Sequence, residues 1–157
     1  MAEVPCEFVL VDTFNQENLR DPYVQLNPNS TIPMITDGIA KIIGDGASLY
    51  YFLVNRHAKI KQAFYAVEQD TEIRHMMTWF QRTMRRTTSK LIRQILNPRK
   101  DTKGGAATPS EDLDEFFNII LLKVNQKLVE HKYITGKKIT IIDIMIYCEI
   151  QTVLKLY

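Results

Sequence analysis

Apolar residues follow two different spacings along the chain, and the spacing changes near residue 57. Before that point, short runs rich in β-branched and aromatic residues predict strands at residues 8–11, 34–36 and 39–43. The first run predicts a buried strand. The other two flank Asp37 and Gly38, a pair that is typical of a hairpin. Glycines at positions 44 and 46 then open a predicted helix over residues 48–56.

Two further stretches of the first hundred residues carry weaker patterns. Residues 16–26 predict either a short helix or irregular structure, and residues 57–70 predict a linker that leads into a helix. We therefore divide the chain into an α/β domain at residues 1–57 and an all-helical domain at residues 58–157.

The helical part shows apolar residues at intervals of three and four. One stripe predicts a helix over residues 71–96, ending before Pro98 and a polar loop at 100–107. A second helix should begin at Thr108, with Pro109 and Glu111 completing its start signal. The first stripe consists of Ile73, Met77, Phe80, Met84, Thr87, Leu91 and Ile95. The second consists of Leu113, Phe116, Phe117, Ile120, Leu121, Val124 and Leu128.

A last helix should follow a turn that contains Gly136. Thr140 and Asp143 have the spacing of a capping box, in which each side chain bonds a backbone N–H at the start of the helix. The residues beyond are apolar on nearly every face through Tyr147. This pattern predicts a buried central helix.

Several of these segments together resemble the glutathione transferases. The run Asn27-Pro28, Ile32-Pro33 and Asp37-Gly38 is similar to a motif of that family, residues 4–12 resemble its second strand, and residues 133–143 resemble the motif that opens its sixth helix. Trp79 with Arg85 and Arg86 is most similar to the theta class. The resemblance implies a fold of the α/β plus all-α type, in which a partial thioredoxin-like domain precedes a helical domain.

The resemblance also implies where glutathione would lie. Pro33 matches the cis-proline of the family, and the backbone of Ile32 would pair with the cysteinyl unit of glutathione. Asp45 and Gly46 match a Glu-Ser pair that holds the γ-glutamyl carboxylate, so Gly46 keeps the N–H and lacks the hydroxyl. Thr31 stands where theta-like members carry a ligand-binding lysine. Each residue also has an ordinary structural role, such as a turn for Pro33 and a helix cap for Asp45.

No catalytic residue of the family has a counterpart in this sequence. In the family, a strand and a helix that carry the catalytic Tyr, Ser or Cys precede the strand matched by residues 8–11, and more helices follow the last one here. A parallel crossover needs about a dozen residues, and only seven precede Phe8. We therefore expect this first strand to be absent. Either the natural chain extends upstream, or the region is rearranged, or a partner protein fills the gap.

The net charge of +2 conceals a strongly basic segment. Residues 74–103 contain nine Lys and Arg against one acid, so this window carries +8 and the remainder −6. Arg82, Arg85, Arg86 and Arg93 recur at helical spacing and form a candidate docking face for an acidic protein surface. A solvated basic face is the simpler interpretation. Binding of an electrophile or a sulfate is less favoured, and nucleic acid is disfavoured because no aromatic side chains interleave the charges.

The remaining features narrow the classes of function. The sequence has no stretch long enough to span a membrane, no targeting signal, and two distant cysteines, which predict reduced thiols in apolar surroundings without a disulfide or metal site. We expect a non-catalytic assembly subunit without a cofactor. A glutathione transferase with its catalytic strand upstream, and a glutathione-binding or redox module using Cys6, remain alternatives. The cytoplasm is the default location, cytoskeletal, ciliary and mitochondrial assemblies are compatible, and a homodimer stays open.

Overall fold

The computed structural model describes residues 4–38, 40–44, 46–96 and 110–156. The chain separates into two compact units, Met1–Ala63 and Phe64–Tyr157. The first unit contains α1 (Tyr23–Leu26), β1 (Met34–Asp37), β2 (Ala40–Ile43), α2 (Gly46–Arg56) and α3 (Ala58–Phe64). The second contains α4 (Asp70–Trp79), α5 (Arg85–Leu96), α6 (Ser110–Glu115), α7 (Leu122–Glu130) and α8 (Ile141–Leu156).

The predicted hairpin in the first unit is confirmed. Strands β1 and β2 pair antiparallel, with Met34 opposite Ile43 and Asp37 opposite Ala40. Asp37 therefore lies in β1, although the sequence pattern placed it in the turn. Gly38 has a positive φ of 56°, a conformation that glycine adopts without steric cost. Arg56 at the end of α2 donates to the Asp37 carboxylate at 2.7 Å and ties that helix to the hairpin.

The prediction of a buried strand at residues 8–11 is wrong. The segment has no regular secondary structure, and Phe8, Val9 and Leu10 are 92%, 75% and 89% exposed. In the described part of the chain the sheet consists of β1 and β2 alone, so no neighbouring strand pairs with these residues. An apolar run forms a buried strand only when such a neighbour satisfies its backbone and another layer covers its side chains.

Two stretches that the sequence left open or described as a linker are helical. Residues Glu17–Leu19 form one turn of 3-10 helix, and α1 follows. The predicted linker at residues 57–70 instead contains α3 and a 3-10 turn at Val67–Gln69. Helix α3 has no buried residue, so its sequence lacks the regular apolar spacing by which a helix is predicted.

The predicted long helix over residues 71–96 is confirmed, with a local change in its winding. Helices α4 and α5 are joined without a break by a π-helical turn at Phe80–Met84. The apolar stripe lies in the core of the unit, since Ile73, Met84 and Leu91 are fully buried. Pro98 and the predicted loop at 100–107 lie outside the described residues.

The second predicted stripe is only partly buried. A π-helical turn at Phe116–Leu121 joins α6 to α7, and Phe116, Ile120 and Val124 are buried. Phe117 and Leu128 are about half exposed, so the prediction that they belong to the core is wrong. The π turn inserts an extra residue per turn and rotates later side chains away from the face that a regular helix would present. The predicted helix start at Thr108 and Pro109 lies outside the described residues.

Helix α8 is central to the contacts of the second unit and packs against α4 and α5. Ile142, Ile146 and Val153 are buried, but Tyr147 is 64% exposed and does not lie in the core as predicted. The prediction that α8 is buried on all sides is therefore wrong for the described residues. Part of an apolar helix surface remains in contact with solvent.

Buried polar contacts hold α5 against two other helices. Thr87 donates to the Glu115 carboxylate of α6 at 2.9 Å, and Thr88 donates to the Glu149 carboxylate of α8. Both threonines are buried. A buried hydroxyl without such a partner would destabilise the fold by about 1–3 kcal/mol, so these pairs fix the direction of packing as well as its strength.

Gly136 closes the turn before α8 at a position where no side chain fits. Its φ is 138°, and a Cβ atom there would collide with the amide nitrogen of Gln69. That nitrogen donates to the carbonyl of Thr135 at 2.8 Å, so the buried Gln69 side chain cannot easily move aside. The turn before α8 therefore depends on a glycine next to a glutamine 67 positions earlier.

We predict that Gly136→Ala lowers the free energy of unfolding by about 1–3 kcal/mol, because it adds backbone strain and a steric collision. Urea denaturation followed by circular dichroism measures the change. Gln69→Ala supplies the control background, since it removes the colliding amide. Gly136→Ala should cost less in that background. An equal cost in both backgrounds would contradict the role of Gln69.

Candidate functional site

The hairpin register brings the predicted ligand-binding residues to one end of the sheet. Met34 is paired with Ile43, so the chain before β1 and the chain after β2 leave the hairpin side by side. Thr31, Ile32 and Pro33 lie on the first of these segments, and Gly46 lies on the second, as the first residue of α2. Asp45 lies outside the described residues.

A network of hydrogen bonds fixes the loop before β1. The carbonyl of Thr31 accepts bonds from the Tyr23 hydroxyl and from the Asn27 amide nitrogen, both at 2.6 Å. The side-chain oxygen of Asn27 accepts the backbone N–H of Asn29 at 3.0 Å, and Asn18 donates to the carbonyl of Ser30 at 2.9 Å. Asn27 is fully buried. Its amide therefore holds both ends of the loop.

The backbone of Ile32 makes no hydrogen bond to any described residue, and Ile32 is exposed. The Ile32–Pro33 peptide bond is cis, as the resemblance implied, and a second cis bond joins Asp21 to Pro22. An extended peptide could therefore pair with the Ile32 N–H and C=O, which is a common mode of peptide recognition.

The side chains of the site offer little beyond this backbone. Gly46 begins the 11-residue helix α2, whose first N–H groups favour an anion, but it supplies no hydroxyl. The Thr31 hydroxyl lies 3.3 Å from the Asn27 amide nitrogen and carries no charge. Arrangements of this kind can hold a peptide carboxylate through backbone groups. Among Thr31, Ile32, Pro33 and Gly46, the one side-chain hydroxyl belongs to Thr31, and it lies beside the Asn27 amide.

Thr140 and Asp143 form one half of the predicted capping box. The Asp143 carboxylate accepts the Thr140 backbone N–H, whereas the Thr140 hydroxyl bonds that carboxylate instead of a backbone N–H. One Asp143 oxygen accepts the backbone N–H of Thr140 at 2.8 Å and its hydroxyl at 3.1 Å, and the other accepts the backbone N–H of Ile134 at 2.8 Å. The hydroxyls of Thr140 and Thr135 lie 3.1 Å apart. A single carboxylate therefore fixes the first turn of α8 and the preceding loop.

The four arginines of the candidate docking face are exposed but differ in their surroundings. Arg85 lies 3.4 Å from the Glu149 carboxylate of α8, and this carboxylate also accepts the hydroxyl of Thr88. Arg82, Arg86 and Arg93 have no carboxylate within ion-pair distance among the described residues. Arg85 therefore forms a surface ion pair with another helix, which the helical spacing of the arginines did not indicate.

Sequence analysis missed a second set of contacts, between α7 and α4. Lys127 donates to the Glu72 carboxylate at 2.6 Å, and the Lys123 ammonium lies 5.1 Å from the centre of the Trp79 ring. The sequence spacing could have indicated these contacts. The two lysines are four residues apart and their partners are seven residues apart, so the lysines share one face of α7 and their partners share one face of α4. Trp79 is therefore covered by a cation.

Other kinds of site receive no support within the described residues. No cluster of three or more His, Cys, Asp or Glu side chains could hold a metal ion, and no described helix is long and apolar enough to cross a membrane. Cys6 and Cys148 are free, as predicted. Both are exposed, so the expectation of apolar surroundings is wrong.

Solved structures similar to this one are glutathione transferases. A glutathione transferase from Bombyx mori is 23% identical with a TM-score of 0.77, and the match covers 95% of this chain and 65% of that one. Human glutathione S-transferase T1-1 is 20% identical with a TM-score of 0.80, covering 98% and 65%. An epsilon-class enzyme from the housefly is 19% identical with a TM-score of 0.78, covering 98% and 68%.

These likenesses establish the fold. The chain has the glutathione transferase fold, with a partial thioredoxin-like part followed by helices, as the sequence predicted. It spans about two thirds of the length of the silkworm and human chains. No family model matches the sequence, and no curated protein matches it. The domain boundary at residue 57 and the roles of the site residues stay predictions.

We predict that Asp143→Ala lowers the free energy of unfolding by about 2–4 kcal/mol, because two backbone N–H groups lose a charged acceptor. Thermal and urea denaturation measure the loss. Asp114→Ala is the matched control, since Asp114 is an exposed carboxylate on α6 and should change stability by less than about 0.5 kcal/mol. Equal effects of the two substitutions would contradict the capping role.

Proposed function

We propose that this protein is a non-catalytic subunit that helps to assemble a larger protein complex. Its glutathione transferase fold serves as a scaffold, because one fold hosts many functions and catalysis depends on the site. The partner is another protein subunit, bound through exposed apolar and basic surfaces. This proposal makes no use of a cofactor.

The observation that carries the proposal is the exposure of the apolar segment at residues 8–11. Burial of a side chain such as Phe8 or Leu10 is worth about 1.5–3 kcal/mol, and both are now in contact with solvent. Contiguous exposed apolar surface is a feature of protein–protein interaction sites. A partner that covered the segment would gain several kcal/mol from it.

The state of the candidate glutathione site supports the same proposal. The parts that depend on folding are kept, namely the Asn27 hydrogen bonds and the cis Ile32–Pro33 bond. The side-chain groups that would bind the carboxylates of glutathione are missing, because Gly46 lacks a hydroxyl and Thr31 lacks a positive charge. Selection for the scaffold without selection for turnover would leave this combination.

A glutathione transferase remains the second candidate. The backbone of Ile32, which has no hydrogen-bond partner among the described residues, and the start of α2 favour it, because this pair of features suits a short peptide that ends in a carboxylate. In that case the catalytic strand would be supplied by residues upstream of the present sequence. The printed names of the similar structures, all glutathione transferases, agree with this alternative.

We predict that the protein isolated from its natural source neither conjugates glutathione to a generic aromatic electrophile nor is retained on immobilised glutathione. In gel filtration under native conditions it should migrate with other subunits, well above the 18.3 kDa of the present sequence. Turnover of glutathione at a rate above that of buffer would overturn the proposal in favour of the enzyme. Migration as a free monomer would also contradict it.

We further predict that Gly46→Ser raises the affinity for glutathione about tenfold above that of the wild type, which binds too weakly for retention on a column, because one hydroxyl adds a hydrogen bond to a charged carboxylate. Isothermal titration calorimetry measures the affinity. Ala47→Ser is the control, since it places a hydroxyl in the same helical turn at the neighbouring position. No gain from Gly46→Ser, or an equal gain from both variants, would show that the γ-glutamyl carboxylate does not bind at the start of α2.

A further inference from the structure

The arginines of the long helix fall into two groups. Arg74 and Arg85 each have an acidic partner within the fold, because Arg74 lies 2.8 Å from Asp70 and Arg85 lies 3.4 Å from Glu149. The second group contains Arg82, Arg86 and Arg93, which are exposed and have no ion-pair partner among the described residues. We call these three residues the arginine row.

The arginine row runs along one face of the helix. Arg86 and Arg93 are seven residues apart on α5, which returns nearly to the same face, and Arg82 precedes Arg86 by four residues in the adjoining π turn. At a rise of 1.5 Å per residue, the row is about 16 Å long. Three like charges on one exposed face repel one another, so an anionic partner would relieve an existing cost.

The composition of the row favours carboxylates as the partner groups. All three cations are arginines, whose planar guanidinium groups bind carboxylates through two parallel hydrogen bonds. The aromatic residues of the same helix are Trp79, which is covered by Lys123, and Phe80, which is buried. The row therefore lacks the exposed rings on which bases of single-stranded nucleic acid would stack.

We propose that the arginine row is the docking surface for an acidic helix of a partner protein. Glu or Asp side chains spaced by four and seven residues on that helix would meet the three guanidinium groups, because both helices have the same rise per residue. Arg85 is left out of the row because its guanidinium group already has an acidic partner, Glu149 of α8. This inference rests on the proposed function, since it names the chemistry of the partner subunit.

The test uses the full chain and a synthetic helical peptide with Glu at the matching spacing. Fluorescence anisotropy measures its affinity at two salt concentrations, and the binding should weaken as salt rises. The triple variant Arg82→Glu, Arg86→Glu and Arg93→Glu should bind the peptide at least about tenfold more weakly than the wild type. Glutamine at the same three positions replaces it if the charge-reversed protein does not fold.

Two controls separate the row from general electrostatics. Arg20→Glu, Lys41→Glu and Lys59→Glu change the net charge equally at exposed positions of the first unit and should leave the affinity within about twofold of the wild type. Arg85→Gln should also leave the affinity unchanged while lowering the thermal midpoint. A loss of affinity in either control as large as in the row variant would overturn the proposal.

The same variants also test two other partners for the arginine row, namely a different polyanion and a second copy of the chain. Tighter binding of heparin or of single-stranded RNA than of the peptide, abolished by the row substitutions, would overturn the choice of an acidic helix. Self-association of the wild type that the row substitutions abolish would identify a second copy as the partner and also overturn it. Glutathione turnover would remove the proposed function and leave the peptide result standing, so the two failures are distinguishable.

Discussion

The Asp143 carboxylate is the interaction on which the second unit depends. It accepts two backbone N–H groups and one hydroxyl, and so fixes both the start of α8 and the loop that precedes it. Helix α8 then contacts α4 and α5. Its Glu149 carboxylate pairs with Arg85 and accepts a hydrogen bond from Thr88. A shift at the first turn of α8 would misplace Glu149, because successive residues of a helix are rigidly related. The cap therefore sets the register between three helices.

In the first unit the buried Asn27 amide has the corresponding role. It bonds the Thr31 carbonyl and the Asn29 N–H, and so shapes the loop that presents Ile32. This loop is specified by polar side chains that point inward, and it needs no ligand to hold its form. A preformed backbone site of this kind can persist while the side chains around it change, since its geometry is set by folding contacts.

The same structure leaves charge and apolar area exposed in separate places. Residues 8–10 expose apolar side chains in the first unit, and the arginine row exposes positive charge in the second. Apolar area provides most of the free energy of association, whereas complementary charges determine the orientation and the rate of encounter. A subunit of the kind proposed above would use both kinds of surface.

The sequence by itself determined the features that are local in the chain. The hairpin, the long helix with its buried stripe and the Thr140–Asp143 cap follow from turn chemistry, periodicity and capping residues within a few positions of one another. The order of these local signals also identified the glutathione transferase fold. Only the tertiary structure decided what depends on distant partners. Residues 8–11 form no strand because no described strand pairs with them. Arg85 has an ion-pair partner and Arg86 has none among the described residues, because the fold brings Glu149, 64 residues further along the chain, next to Arg85 alone.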